Sequence, residues 1–133
     1  MTIREFPLAW RWMDPSHSVL PNEVLARIRP LNPSEASRIR TTSILQGSYV
    51  LSISTSESAA VQGWLRSIQR DSEPSIYVCW SPDMGVQTTW DVFADYWDDF
   101  CYPSSDDVTI APVNGTWRLI YHHYEQFDFI MRS

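Results

Sequence analysis

Along the 133-residue chain the spacing of apolar positions changes several times, and each change marks an element. Phe6, Leu8, Trp10 and Trp12 recur at every second position, which predicts a strand with one apolar face, closed by the turn residues Asp14-Pro15-Ser16. Val24, Leu25 and Ile28 then fall at helical spacing over Asn22 to Arg29, with Pro30 as the stop. Asn32-Pro33-Ser34-Glu35 predicts a helix start: an Asn cap, Pro at the first helical position and a carboxylate at the third all suit the free amides there. Ala36, Ile39 and Ser43 continue one face of that helix, and Gly47 ends it. Tyr49 to Ser54 predicts a strand rich in β-branched and aromatic residues. Ser56 is the expected cap of a further helix whose buried stripe is Ala60, Val61, Trp64, Leu65 and Ile68. Ser72-Glu73-Pro74 breaks the chain before a short apolar strand, Ile76 to Trp80.

The second half is more regular. Thr88-Thr89-Trp90-Asp91 opens a helix in which Trp90, Phe93, Trp97 and Phe100 are spaced three, four and three apart, so four rings share one side. Val108 to Ala111 predicts a strand, and Asn114-Gly115 predicts a tight hairpin into a second strand from Trp117 to Tyr121. A last strand near Phe127 to Ile130 puts Phe127 and Phe129 on one face. This order implies a single α+β domain over residues 1–133, with a mixed or antiparallel sheet and helices packed mainly on one face.

Composition removes several kinds of chemistry. All ten basic residues are Arg, so a Walker A loop, a Schiff-base lysine, a Ser-Lys dyad and the usual kinase lysine are excluded. Glycine occurs only at positions 47, 63, 85 and 115, too scattered for a phosphate cradle. A net charge of −6 disfavours direct nucleic-acid binding, whose affinity comes mostly from cations on phosphate. No run reaches the length of a membrane span and no signal segment opens the chain, so a cytoplasmic protein, most simply a bacterial one, is expected. Cys79 and Cys101 lie in apolar aromatic surroundings and read as buried free thiols. No cofactor is expected.

The charge itself is unevenly divided: residues 1–70 carry +3 and residues 71–133 carry −9. Asp91, Asp95, Asp98, Asp99, Asp106 and Asp107 crowd into 17 positions. Asp91 suits the positive start of its helix, whereas Asp98 and Asp99 occupy the negative end, each at a cost of about 0.3–1 kcal/mol. Asp95 faces them from one turn earlier, as a like charge. Local stability does not select such an arrangement. One reading is a solvated helix face paired with Arg from the first half. The other is a docking surface for a basic protein, formed by Asp95, Asp98, Asp99, Asp106 and Asp107 with Tyr96 and Tyr102 as aromatic anchors.

Other chemistries compete with that surface for the same residues. Asp95, Asp98, Asp99, Asp106, Asp107 and His122 could surround a hard cation in a small metal-dependent hydrolase, although no His-Glu-x-x-His or EF-hand spacing is present. On a strand His122 and His123 point to opposite faces, with Glu125 on the side of His123. Ser104-Ser105-Asp106 with a distant His, or Cys101 with His122, lacks the Gly-x-Ser-x-Gly context of a nucleophile. Arg27, Arg29, Arg38, Arg40, Arg66 and Arg70 come without a nucleic-acid motif and are expected to pair with the acidic half.

The stretch Val86-Gln-Thr-Thr-Trp-Asp-Val-Phe-Ala-Asp-Tyr-Trp-Asp-Asp-Phe100 resembles a segment in a family of small bacterial proteins of unknown function, through Thr-Thr-Trp, Val-Phe, and Trp and Phe at the same helical spacing. Arg11-Trp12, Leu20-Pro21 and Ile28-Arg-Pro30 echo the same family. That resemblance implies no activity. In general character (size, acidity, aromatic richness, no catalytic motif) the chain is similar to immunity proteins that neutralise bacterial toxins. The expected function is accordingly a cytoplasmic, non-enzymatic inhibitor that binds a basic toxin domain. The alternatives are the hydrolase above and a nucleic-acid-mimicking phage or defence protein.

Overall fold

A computed structural model describes residues 2–40, 48–56, 58–68, 75–113 and 117–132. The chain begins with a 3₁₀ turn, Ile3–Glu5, followed by the short helices α1 (Trp10–Met13) and α2 (Asn22–Leu25), the two-residue strand β1 (Arg29–Pro30) and helix α3 (Pro33–Arg40). Next come β2 (Ser48–Ser54), α4 (Ser58–Ile68), β3 (Ser75–Ser81), β4 (Met84–Thr89) and α5 (Trp90–Phe100). Strands β5 (Val108–Pro112), β6 (Trp117–His122) and β7 (Gln126–Arg132) complete the domain. The seven strands form one sheet in the order β1-β4-β3-β5-β6-β7-β2, with every neighbouring pair antiparallel. The protein is an α+β domain, as the element order implies.

Side chains alternate across this sheet, and its two faces differ. Val78, Val86, Ile110, Leu119, Tyr121, Phe127 and Phe129 point into the main core, where Trp12, Val61, Leu65 and the rings of α5 cover them. Trp90 meets Trp117 edge-on at 5.4 Å, and Trp97 meets Phe127 at 5.7 Å. The four-ring stripe of α5 is buried throughout, as its spacing predicts. On the opposite face α3 packs against β3 and β4, where Leu31, Ala36, Cys79 and Ala111 are buried apart from the main core. Gly85 is required at this contact, since a Cβ there would meet the Cys79 Sγ at 2.8 Å and the Val78 carbonyl at 3.0 Å. Both cysteines are buried and free.

Several boundaries depart from expectation. Phe6 to Trp12 is not a strand. Phe6, Ala9 and Trp12 are buried at intervals of three, which suits turns and a helix, while Trp10 turns outward. Phe6 and Trp12 stack at 5.8 Å, so the alternating aromatics come from a helical turn with Ala9 as its small inward residue. The helix after Asn22 stops at Leu25, and Arg29–Pro30 instead pairs with Val86 and Gln87 on β4. Strand β4 carries no sequence signal of its own. Gly85, Gln87, Thr88 and Thr89 give it no hydrophobic alternation, and its pairing with β3 places it.

Asn32 and Glu35 do form the expected reciprocal cap: Glu35 N–H donates to Asn32 Oδ1 at 2.9 Å, and Asn32 N–H to Glu35 Oε1 at 3.1 Å. The far end of that helix near Ser43 and Gly47, and the Asn114-Gly115 turn, lie outside the described residues. The strands flanking that turn pair as the hairpin requires. Helix α4 is described over Ser58–Ile68, the residue after Ser56 lies outside the described residues, and Ala60 is exposed rather than part of the stripe.

Candidate interaction surface

Helix α5 holds most of the acidic run, and its two sides have separate tasks. At its start Thr89 is the extended cap residue, and Asp91 in the first turn accepts from Thr89 Oγ1 and from Arg27 Nη2, the latter at 2.7 Å. The buried rings fix which way the helix faces, so Asp95 and Asp98 project outward. Asp95 ion-pairs with Arg66 of α4 and accepts from Gln62 Nε2 at 3.2 Å. Asp98 is exposed, and no hydrogen bond or ion pair reaches it among the described residues. Tyr96 lies where the helix bends (φ −124, ψ 26), its ring half-buried against the core.

Asp99 is half-buried. Its Oδ1 accepts from Ser18 Oγ at 2.7 Å, and its backbone carbonyl accepts from Trp12 Nε1 at 3.0 Å. Burial raises its carboxyl above the usual range; Ser18 opposes the shift and the charge of Asp98 adds to it. The rise at Asp99 thus comes chiefly from its burial, with the like charge of Asp98 a smaller addition.

Asp106 departs from the expected surface. It is buried, and its carboxylate is gripped by the Arg11 guanidinium through two bonds of 2.6 and 3.1 Å. Tyr102 N–H donates to the same carboxylate at 2.9 Å. The guanidinium lies 3.9 Å from the Tyr102 ring centroid, and Arg11 also reaches the Phe100 carbonyl at 3.4 Å. Asp106 thus belongs to the interior corner joining α1, the end of α5 and the following loop. Asp107 next to it is exposed, accepts from His123 N–H at 3.0 Å and pairs with the His123 ring, and these contacts hold its carboxyl below the usual range.

Sequence reasoning missed Trp10. Helix α1 places its ring 40 % exposed, edge-on to Tyr102 at 5.9 Å and 4.5 Å from the His17 ring. Tyr102 feels the neighbouring charges: burial pushes its phenol up, Arg11 opposes this, and Asp99, Asp106 and Asp98 add to it. Trp10 also lines a surface depression of about 380 Å³ together with Arg4, Ala9, Met13, Asp14 and Pro15. The signal that could have found it was Ala9, whose small side chain completes the inward spacing of Phe6 and Trp12 and so forces Trp10 outward. The resulting surface contains Asp98, Asp99, Tyr102, Trp10 and Asp14, with Asp95 at one margin and Asp107 held by His123.

The residues considered for a cation do not converge. Asp106 is held by Arg11, Asp107 by His123, and His122 by Asp128 at 2.8 Å. Among the described residues no group of three or more His, Cys, Asp or Glu side chains is placed to hold a metal ion. Ser105 Oγ donates weakly to Asp106 at 3.3 Å, but that carboxylate is committed to Arg11 rather than to a histidine. Burial raises the Cys101 thiol well above its usual value, unlike a nucleophile. Arg27 and Arg66 bridge to the acidic half through Asp91 and Asp95, and Arg29 lies 3.6 Å from Glu35. The side chains of Arg38, Arg40 and Arg70 lie outside the described set.

Among the described residues no helix is long and apolar enough to cross a membrane. No curated protein and no solved structure matches the chain. One family model matches residues 53–120, a span that contains Val86 to Phe100 and most of the sheet. The protein therefore belongs to the family described as protein of unknown function, DUF2947.

Proposed function

We propose that the protein is a binding module, a cytoplasmic immunity-type inhibitor whose acidic, aromatic surface covers a basic site on a toxin domain. The observation that carries this reading is the exposed Trp10 ring seated against Tyr102 beside Asp98 and Asp99. An aromatic anchor flanked by unneutralised carboxylates suits a partner that presents Arg or Lys around an apolar contact. The carboxylates would speed encounter, and burial of the rings would slow release. Asp98 carries a charge that no hydrogen bond or ion pair among the described residues engages, which is expected of a residue retained for a partner.

The test compares the wild type with Trp10→Ala and with Asp98→Asn/Asp99→Asn as immobilised baits at low and high salt. A basic protein retained by the wild type is then assayed for toxicity with and without co-expression of each bait. The reading expects neutralisation by the wild type, weaker capture by both variants, and steep salt dependence for the wild type and Trp10→Ala but not for Asp98→Asn/Asp99→Asn. Equal capture by all three proteins, or a captured protein whose activity is unaffected, overturns it.

A further inference from the structure

Strand β6 alternates sides. Trp117, Leu119 and Tyr121 point into the main core, so Arg118 and Ile120 belong to the other face of the sheet, the one on which α3 covers β3 and β4. There Arg118 stands beside Ile130 of β7. The register of β5 with β6 and with β3 continues the row through Ala111 to Tyr77, so Arg118 is the one charge in a row of apolar and aromatic residues. It is nevertheless only 8 % exposed.

Taking an ion out of water is costly unless a counter-charge accompanies it. Other arginines of this acidic chain have one, even where they are more exposed: Arg11, Arg27, Arg29 and Arg66 each meet a carboxylate. Among the described residues Arg118 meets none. Its one hydrogen bond runs from Nη1 to the carbonyl of Trp117, the residue before it, at 3.0 Å. Asp128, on the same face of β7, is engaged by Ser52, Gln126 and His122 instead. Burial pushes the guanidinium down from its usual value and Cys79 opposes the shift, but an Arg side chain stays protonated in water. The charge is therefore present and largely desolvated. Its Nε and Nη2 make no hydrogen bond among the described residues, yet neither is closed off from solvent.

We propose that Arg118 is the binding group of an oxyanion site on this face of the sheet, where the carboxylate or phosphate group of a small ligand supplies the counter-charge. A planar guanidinium with adjacent N–H groups still open matches two oxygens of such a group, and a charge held on a buried stem loses little freedom on binding. Ile120 and Ile130 flank the position, both half-buried, so a ligand with an apolar body beside its anionic group gains further contact. The site lies across the sheet from α1 and α5 and is separate from the Trp10 surface.

Thermal unfolding of the full chain in chloride, with inorganic phosphate or acetate titrated in at constant ionic strength, tests the inference. At least one of these two probes should raise the wild-type midpoint saturably and move the Arg118 Nε–H resonance, and which one does so tells a phosphate ligand from a carboxylate. Arg118→Met keeps the length of the stem and removes the charge. It should be at least as stable as the wild type in chloride, because no desolvated charge remains, and should show no saturable shift with either probe. Arg118→Lys keeps a charge without the planar fork and should bind the same probe at least about ten-fold more weakly, which keeps the test valid even if the Met variant folds poorly. A wild type that responds to neither probe overturns the inference. Equal shifts in the wild type and Arg118→Met, the mark of a general salt effect, overturn it as well.

Discussion

Asp106 and Asp98 lie eight positions apart in the same acidic run, yet the fold treats them in opposite ways. Asp106 is enclosed with Arg11, the paired side chains being 7 % and 6 % exposed, and its oxygens are satisfied by the guanidinium and the Tyr102 amide. Asp98 stands in solvent at the unfavourable end of α5, and its charge adds to the rise that burial produces in the carboxyl of Asp99 beside it. The difference shows that density of charge in a sequence does not define a surface. One carboxylate of the run locks the first helix onto the last turn of α5, Asp91, Asp95, Asp99 and Asp107 each have a polar partner, and Asp98 has no hydrogen bond or ion pair among the described residues.

The largest effect that would break this contrast is on the buried side. Asp106→Ala leaves Arg11 enclosed without its counter-charge and should cost about 3–5 kcal/mol in urea unfolding. Replacing both partners, Arg11→Met with Asp106→Leu, should cost clearly less than Asp106→Ala alone, because no buried charge is then stranded. An exposed-type loss below about 1 kcal/mol for Asp106→Ala would place it with Asp98 after all.

A smaller effect of opposite sign is expected on the surface side. Asp98→Asn/Asp99→Asn keeps side-chain size and retains an acceptor for Ser18, while removing the penalty at the helix end. Stability should be unchanged or rise by up to about 1 kcal/mol, measured by the urea midpoint, while partner capture weakens. A double variant that unfolds more easily would make both carboxylates structural.

The smallest effects concern acid. Asp99 has a raised native value, so the native state takes up a proton more readily than the unfolded chain, and stability declines as pH rises from the usual 3.8 through that raised value. Asp128 has the opposite shift: burial raises it, but hydrogen bonds from Ser52, Gln126 and His122 win and leave it depressed. Its contribution is present above 3.8 and is lost as pH falls through the depressed native value. Thermal midpoints followed from neutral pH into acid should therefore show Asp99→Asn flattening the slope above 3.8 and Asp128→Asn flattening it below. Identical slopes in both variants would remove the electrostatic distinction between the two sites.

Much of the fold was legible because long periodic segments state their own burial. Trp90, Phe93, Trp97 and Phe100 define the inward side of α5 by spacing alone, and the Asn32–Glu35 cap needs only residues three apart. Strand β4 was hidden because a central strand of Gly, Gln and Thr carries no alternation of its own. It is held by pairing with β3 on one side and β1 on the other. The first segment misled for a related reason: aromatic rings at alternate positions outweighed Ala9, whose small size is what lets that turn pack.

The sequence alone settled the α+β class, the buried helix stripe, the absence of lysine chemistry and the concentration of acid between Asp91 and Asp107, because these depend on residue type and local spacing. Only the tertiary structure separated Asp106 from Asp98, brought Trp10 to Tyr102 and placed β2 beside β7 at the end of the sheet. Arg11 and Asp106 are 95 positions apart, and β2 and β7 pair across 76 at Ser52 and Asp128. Contacts over such distances are chosen by which surfaces the packed helices and strands present to one another, and no local period encodes that choice.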